Sequence, residues 1–218
     1  MKFLRFWFDP ISPYAYLAFE RLPEAMAGIG HAVEYRPVLF AGLLQHHGHK
    51  GPAEIPTKRV WTYRDVAWRA HRLGIPLALP QRHPFNPLPL LRLALACAPS
   101  GQCPSRWVVE TVMRHVWVGG ADAEDPARLA ELERTLAPLR DPRGAQVKAE
   151  LRGWTERAVQ EGVFGVPTLE ADGQLFWGED ALPMLAAALR GDPFFEGPAW
   201  SAASEPRQGV QRTSPPGA

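Results

Sequence analysis

This 218-residue sequence predicts an α/β fold in which a small sheet, drawn from both ends of the chain, is interrupted by a long all-helical insertion. Three observations carry that prediction. The N-terminal stretch reads strand, helix, strand; the middle carries one helix start after another; and residues 163–177 return to strand character around Asp172-Gly173. Each flanking piece has too few strands for a sheet of its own, so an insertion into one α/β unit explains the order better than two domains in series. The division that follows is 1–40 with 160–195 for the sheet unit, 41–159 for the insertion and 196–218 for a flexible tail.

Phe3 to Phe8 is an aromatic-rich run fit for a buried strand. Ser12-Pro13 then places an N-cap before a first-turn proline, with Tyr14, Leu17, Ala18 and Leu22 at helical spacing behind it. Val33 to Leu39 is a second strand, in which Pro37 signals an edge or an end. A helix over Thr57 to Leu73 stops at Gly74, and a proline-dense connection from Ile75 to Pro89 runs extended. Asn86-Pro87, Asp125-Pro126 and Asp141-Pro142 each read as cap plus proline before a helix, and Cys103-Pro104-Ser105 begins another that ends near Val118. Asp172-Gly173 between two short apolar runs is a hairpin signal. After Gly178-Glu179-Asp180, Ala181 to Leu189 forms a helix stopped by Gly191, and the composition beyond Phe195 turns to that of a mobile tail.

Composition sets limits. With 24 Lys plus Arg against 23 Asp plus Glu, no global field draws the chain to nucleic acid or to an acidic membrane. The 46% hydrophobic content suits a self-sufficient core. Arg5 and Asp9-Pro10 interrupt the early apolar residues, so no leader peptide is read there, and no apolar run is long enough to span a bilayer. Cys97 and Cys103 have neither metal-site nor Cys-x-x-Cys spacing and read as free thiols of a reducing cytoplasm. The 23 prolines, about twice the usual share, serve mainly as punctuation at helix starts.

Two places could hold a ligand. Ser12 lies where a strand's carboxyl end feeds a helix N-terminus, where unpaired N–H groups and the helix dipole favour an anion such as a thiolate. The same serine could be an N-cap and nothing more. Val166-Pro167 opens an internal strand; a cis bond there would turn the Val166 backbone toward a peptide-like ligand, and a trans bond would make Pro167 an edge residue. His46-His47-x-His49 lacks companion ligands and reads as a solvated loop, so no metal site is expected. Lys58 to Arg72 reads as an amphipathic helix with a solvated basic face and a buried aromatic one, and Trp107, Trp117 and Trp154 read as core.

Taken in order, Phe8-Asp9-Pro10-Ile11-Ser12-Pro13-Tyr14-Ala15-Tyr16-Leu17, Gly51-Pro52-Ala53-Glu54-Ile55-Pro56 with Lys58-Arg59, His83-Pro84-Phe85-Asn86-Pro87, Val163-Phe164-Gly165-Val166-Pro167-Thr168 and Phe176-Trp177-Gly178-Glu179-Asp180 closely resemble the 2-hydroxychromene-2-carboxylate isomerase family, thioredoxin-like relatives of the kappa-class glutathione transferases. The resemblance implies a thioredoxin-like fold with a helical insertion and glutathione as cofactor. It places Ser12 as the catalytic residue holding the glutathione sulfur. It assigns Val166 and the cis Pro167 to the cysteinyl backbone, and Trp177, Gly178, Glu179 and Asp180 to the γ-glutamyl end. The substrate it implies is a small aromatic carboxylic acid, isomerised through reversible addition of the borrowed thiolate. Lys58, Arg59, Trp61, His83 and Asn86 are candidates for the substrate wall, Asn86 being equally readable as a helix cap. Relatives are commonly dimers, which makes a homodimer an expectation.

Overall fold

The computed structural model describes residues 1–204 and Gly209. Four strands form one sheet in the order β2-β1-β3-β4, from β1 (Lys2–Phe8), β2 (His31–Pro37), β3 (Thr168–Ala171) and β4 (Gln174–Trp177). β1 and β2 run parallel, joined by α1 (Pro13–Ala25), whereas β3 is antiparallel to β1 and to β4. Both ends of the chain thus meet on β1: Phe6 pairs with Tyr35 on one side and Leu169 on the other. Pro37 closes the edge strand β2, where its missing N–H costs no ladder bond. The hairpin β3-β4 turns through Asp172 at φ 50° and Gly173 at φ 79°, the left-handed pair that a tight two-residue turn demands.

Between β2 and β3 lie α2 (Phe40–His46), α3 (Pro56–Leu73), α4 (Leu88–Ala96), α5 (Arg106–Trp117), α6 (Pro126–Leu136) and α7 (Ala145–Gln160). The period of two along β1 sends its side chains to opposite faces. Leu4, Phe6 and Phe8 enter a core that also holds Leu17 and Phe19 of α1, Val109, Val112 and Trp117 of α5, and Leu182 and Leu185 of α8 (Leu182–Leu189). Trp7 points the other way, to Val38, Leu43, Ala158, Val163 and Val166. The sheet and the inserted helices therefore share buried clusters on both faces of β1. Burial of each large side chain there stabilises the fold by roughly 1.5–3 kcal/mol. No helix among the described residues is long and apolar enough to cross a membrane.

Several sequence expectations need correction. Asp141-Pro142 does not start a helix: Asp141 caps the Arg143 N–H in a turn, and α7 begins only after Gly144. Asn86 does accept from the Leu88 N–H at 3.1 Å, at the head of α4, which takes in Leu88 and Pro89 from the connection read as extended. The helix α2 was not foreseen, because Phe40 to His46 follows the strand without a polar cap. His46 is its last residue, and His47 and His49 are exposed beyond it. α3 does not bury an aromatic face: Trp61 is 68% and Trp68 55% exposed, and its fully buried residues are Val66 and Ala70. Trp107 is likewise exposed, whereas Trp117 is buried and Trp154 half-buried. In the span read as a flexible tail, Pro198–Ala203 forms a short helix, α9; residues 205–208 and 210–218 of that expectation lie outside the described residues.

Candidate active site

The turn from β1 into α1 is held by side chains from three directions. Asp9, fully buried, accepts from the Ile11 N–H at 3.0 Å through one carboxylate oxygen and from the Phe40 N–H at 2.9 Å through the other. Burial pushes its carboxyl up to about 7, against the opposing pull of those two N–H groups. The next two carbonyls are gripped by the insertion. Trp117 Nε1 donates to Pro10 O at 2.9 Å, and His83 Nε2 lies 2.8 Å from Ile11 O.

That last contact fixes the histidine tautomer. A carbonyl only accepts, so Nε2 carries the hydrogen. Burial lowers the His83 pKa and the Arg59 charge pushes the same way, which leaves Nδ1 bare to accept from Tyr63 OH at 2.6 Å. Tyr63 is suited to donate because burial raises its own pKa. Both ring nitrogens of His83 are thereby occupied.

Ser12 is buried and sits between the two remaining parts of the site. Its Oγ accepts from the Ala15 N–H at 3.2 Å, the N-cap bond, and donates to Val166 O at 3.2 Å. The cap and the candidate site are thus the same atom. The Val166-Pro167 bond is cis, as is His83-Pro84. Around Ser12 the N–H groups of Tyr14 and Val166 find no acceptor among the described residues. They are two backbone donors left open on either side of the Ser12–Val166 contact.

From Pro167 the backbone leads to the third part. Pro167 O accepts from the Gly178 N–H at 2.9 Å. Gly178 stands at φ 102°, and a Cβ there would run into Asp180 Oδ1, so only glycine lets the chain turn here. The two acids after it diverge. Glu179 points inward, 2% exposed, and is held by Arg21 of α1 and by Arg69 of α3, whose Nη1 lies 2.7 Å from Oε2. Arg69 also pairs with Asp65 at 2.8 Å, and Asp65 accepts from Tyr14 OH at 2.9 Å. Asp180 is exposed on the outer side and pairs with no cation among the described residues. Trp177 packs against Phe164 with ring centroids 5.0 Å apart, and Gly165 makes that possible: a Cβ there would stand 2.6 Å from Trp177 Nε1.

Of the candidate wall, only His83 meets the Ile11 carbonyl, partnered by Tyr63 and near enough to Arg59 to feel its charge, while Lys58, Arg59 and Trp61 are exposed on α3 and Asn86 is exposed at the head of α4. Neither cysteine bonds to these residues: Cys97 Sγ donates to Leu93 O and Cys103 Sγ to Glu34. Burial pushes Cys97 up to about 11 and Cys103 higher still, where Glu34 adds to the effect. Sequence reasoning missed Asp9, Tyr63, Trp117 and Arg69 as parts of the site. Only Asp9 carried a signal, as an Asp two residues before a turn N–H.

Comparison with known proteins fits this arrangement. Residues 3–190 match the DSBA-like thioredoxin domain family. Glutathione s-transferase kappa 2 of Caenorhabditis elegans is 30% identical, over 88% of this chain and 93% of its own length. The 2-hydroxychromene-2-carboxylate isomerase of Sphingobium xenophagum is 29% identical, over 86% of this chain and 98% of its own. A solved 2-hydroxychromene-2-carboxylate isomerase superposes with a TM-score of 0.75 at 23% identity, covering 94% of this chain and all of that one. The chain belongs to the DSBA-like thioredoxin domain family, among relatives named 2-hydroxychromene-2-carboxylate isomerases and kappa-class glutathione transferases.

Proposed function

We propose that the protein is a glutathione-dependent isomerase that interconverts 2-hydroxychromene-2-carboxylate and trans-o-hydroxybenzylidenepyruvate-type aromatic acids. The observation that carries this reading is the contact of Ser12 Oγ with Val166 O, which brings a helix N-terminus and the Val166-Pro167 backbone to one point. The donor set there suits a thiol peptide. Val166 N–H is free to meet a peptide carbonyl, Tyr14 N–H lies in the first turn of α1, and Asp180 is an unpaired carboxylate for an ammonium.

Glutathione, when bound, supplies the sulfur nucleophile that adds reversibly to the conjugated acid. The residues of this chain do the rest. Ser12 donates to the anionic sulfur in exchange for Val166 O, and the N-terminal dipole of α1 stabilises the same charge. A free thiol with a pKa of about 8.5 is only a few per cent ionised at neutral pH, so both effects raise the reactive fraction. The neutral His83, locked between Ile11 O and Tyr63, holds the turn without adding a charge. Lys58 and Arg59 on α3 supply cations for the substrate carboxylate, and Trp61 an apolar surface for its ring.

The similarity to a kappa-class transferase supports a second reading, in which the same sulfur site attacks an electrophile that is consumed. One experiment separates them. Purified protein with glutathione is given the chromene carboxylate, followed by its ultraviolet spectrum, and in parallel 1-chloro-2,4-dinitrobenzene. Isomerisation without net loss of thiol is expected; brisk conjugation with no isomerisation would overturn the first reading in favour of the second.

A further inference from the structure

A cleft of about 830 Å³ lies between α2, α4 and α7, within the usual size of small-molecule pockets. Ser12, Val166, Trp177 and Asp180 do not line it. Its charge is one-sided. Arg92 of α4 and Lys148 and Arg152 of α7 face it, against the single carboxylate of Glu156. None of the three cations makes an ion pair among the described residues, and the nearby Glu150 is committed to Arg140 at 2.7 Å. Arg92 Nε is buried with no hydrogen-bond partner, an uncommon condition for a guanidinium nitrogen inside a fold. The remainder of the lining includes Leu88, Leu151 and Val159, a hydrocarbon floor.

We propose that this cleft binds an organic anion with a single acidic head and a hydrocarbon body. The head takes the guanidinium of Arg92 with Lys148 and Arg152 at the rim, and the body lies on the leucines and valine. Cations clustered without counter-charge raise the local concentration of anions, and a charge-assisted bond to a guanidinium is among the stronger that a protein makes. This inference does not rest on the function proposed for Ser12.

The test uses the full chain and 8-anilino-1-naphthalenesulfonate, read by fluorescence. Lys148→Ala with Arg152→Ala, both at exposed positions, should weaken binding at least tenfold with the thermal melt unchanged. Arg92→Gln should also weaken binding, and the tryptophan variants Trp107→Ala and Trp107→Phe, at an exposed residue outside the cleft and outside the proposed active site, should leave the affinity as it was. Dodecanoate should displace the probe and dodecanol should not. The proposal is overturned if the wild type fails to bind, if the rim variants bind as the wild type does, if the tryptophan variants abolish binding, if the alcohol competes as well as the acid, or if saturating glutathione displaces the probe.

Discussion

The β1-α1 turn and the outer face of α3, to which the proposed function assigns the sulfur site and the substrate wall, are built in opposite ways. At the turn, peptide groups from Pro10 to Ser12 are tied, Ile11 N to the Asp9 carboxyl, Ser12 N to Asp9 O, Pro10 O to Trp117 and Ile11 O to His83, and the Ser12 hydroxyl is tied to Val166 O. On α3, Val60, Trp61 and Trp68 stand in solvent with Lys58 and Arg59 beside them. The first arrangement fixes the place of one charged atom and excludes alternatives. The second leaves a surface that different ring systems can use. Under the proposed function, chemistry belongs to the turn and choice of substrate to the helix.

Variants can break that division. Ser12→Ala should cut turnover by about 10²–10³-fold, the usual effect of removing one donor to a developing anion, while costing only about 1 kcal/mol for the lost cap. Initial rates beside a thermal melt measure both, and unchanged rates would remove Ser12 from the chemistry. Trp117→Phe leaves Pro10 O without its buried partner, at a cost of about 1–3 kcal/mol, and should lower kcat by roughly tenfold with KM nearly unchanged.

Asp9→Asn should act through pH. The folded carboxyl keeps its proton up to about 7, while an unfolded one gives it up near 3.8, so the folded state binds more protons between those values. Wild-type stability from this group is therefore full below the lower value and falls as pH rises through the upper, by a few kcal/mol on the order-of-magnitude scale of such shifts. The asparagine variant should lack that slope whatever its absolute stability, as denaturant melts at pH 4.5, 6 and 8 would read. Smallest of all, Trp61→Ala should change stability by less than about 0.5 kcal/mol and shift KM between substrates of different ring size without touching the pH profile. A fall in kcat equal to that of Trp117→Phe would erase the distinction between turn and wall.

Much of the turn was legible in the sequence. Ser12-Pro13 after an aromatic strand, Val166-Pro167 before another and Gly178-Glu179-Asp180 before a helix are local signals, and local signals survive translation into structure. The partners that grip the turn were not legible. Trp117 and His83 lie far along the chain from Pro10 and Ile11, and their polar atoms mattered only once α5 and the connection before α4 had packed against β1. The same holds for Glu179. In sequence it is one of two acids at a helix start; in the fold Arg21 and Arg69 turn it inward and leave Asp180 outside. The aromatic residues of α3 misled in the other direction, since helical spacing tells which residues share a face and not which face meets a neighbour.

The grip of His83 and Trp117 on two adjacent carbonyls has a bearing on protein engineering. A minimal variant made by splicing residues 40 and 160 would keep all four strands and lose both donors, baring the Pro10 and Ile11 oxygens beside Ser12. The helices in between are thus no removable ornament: the host segment supplies all four residues of the turn, and the insertion supplies the donors that hold two of its carbonyls.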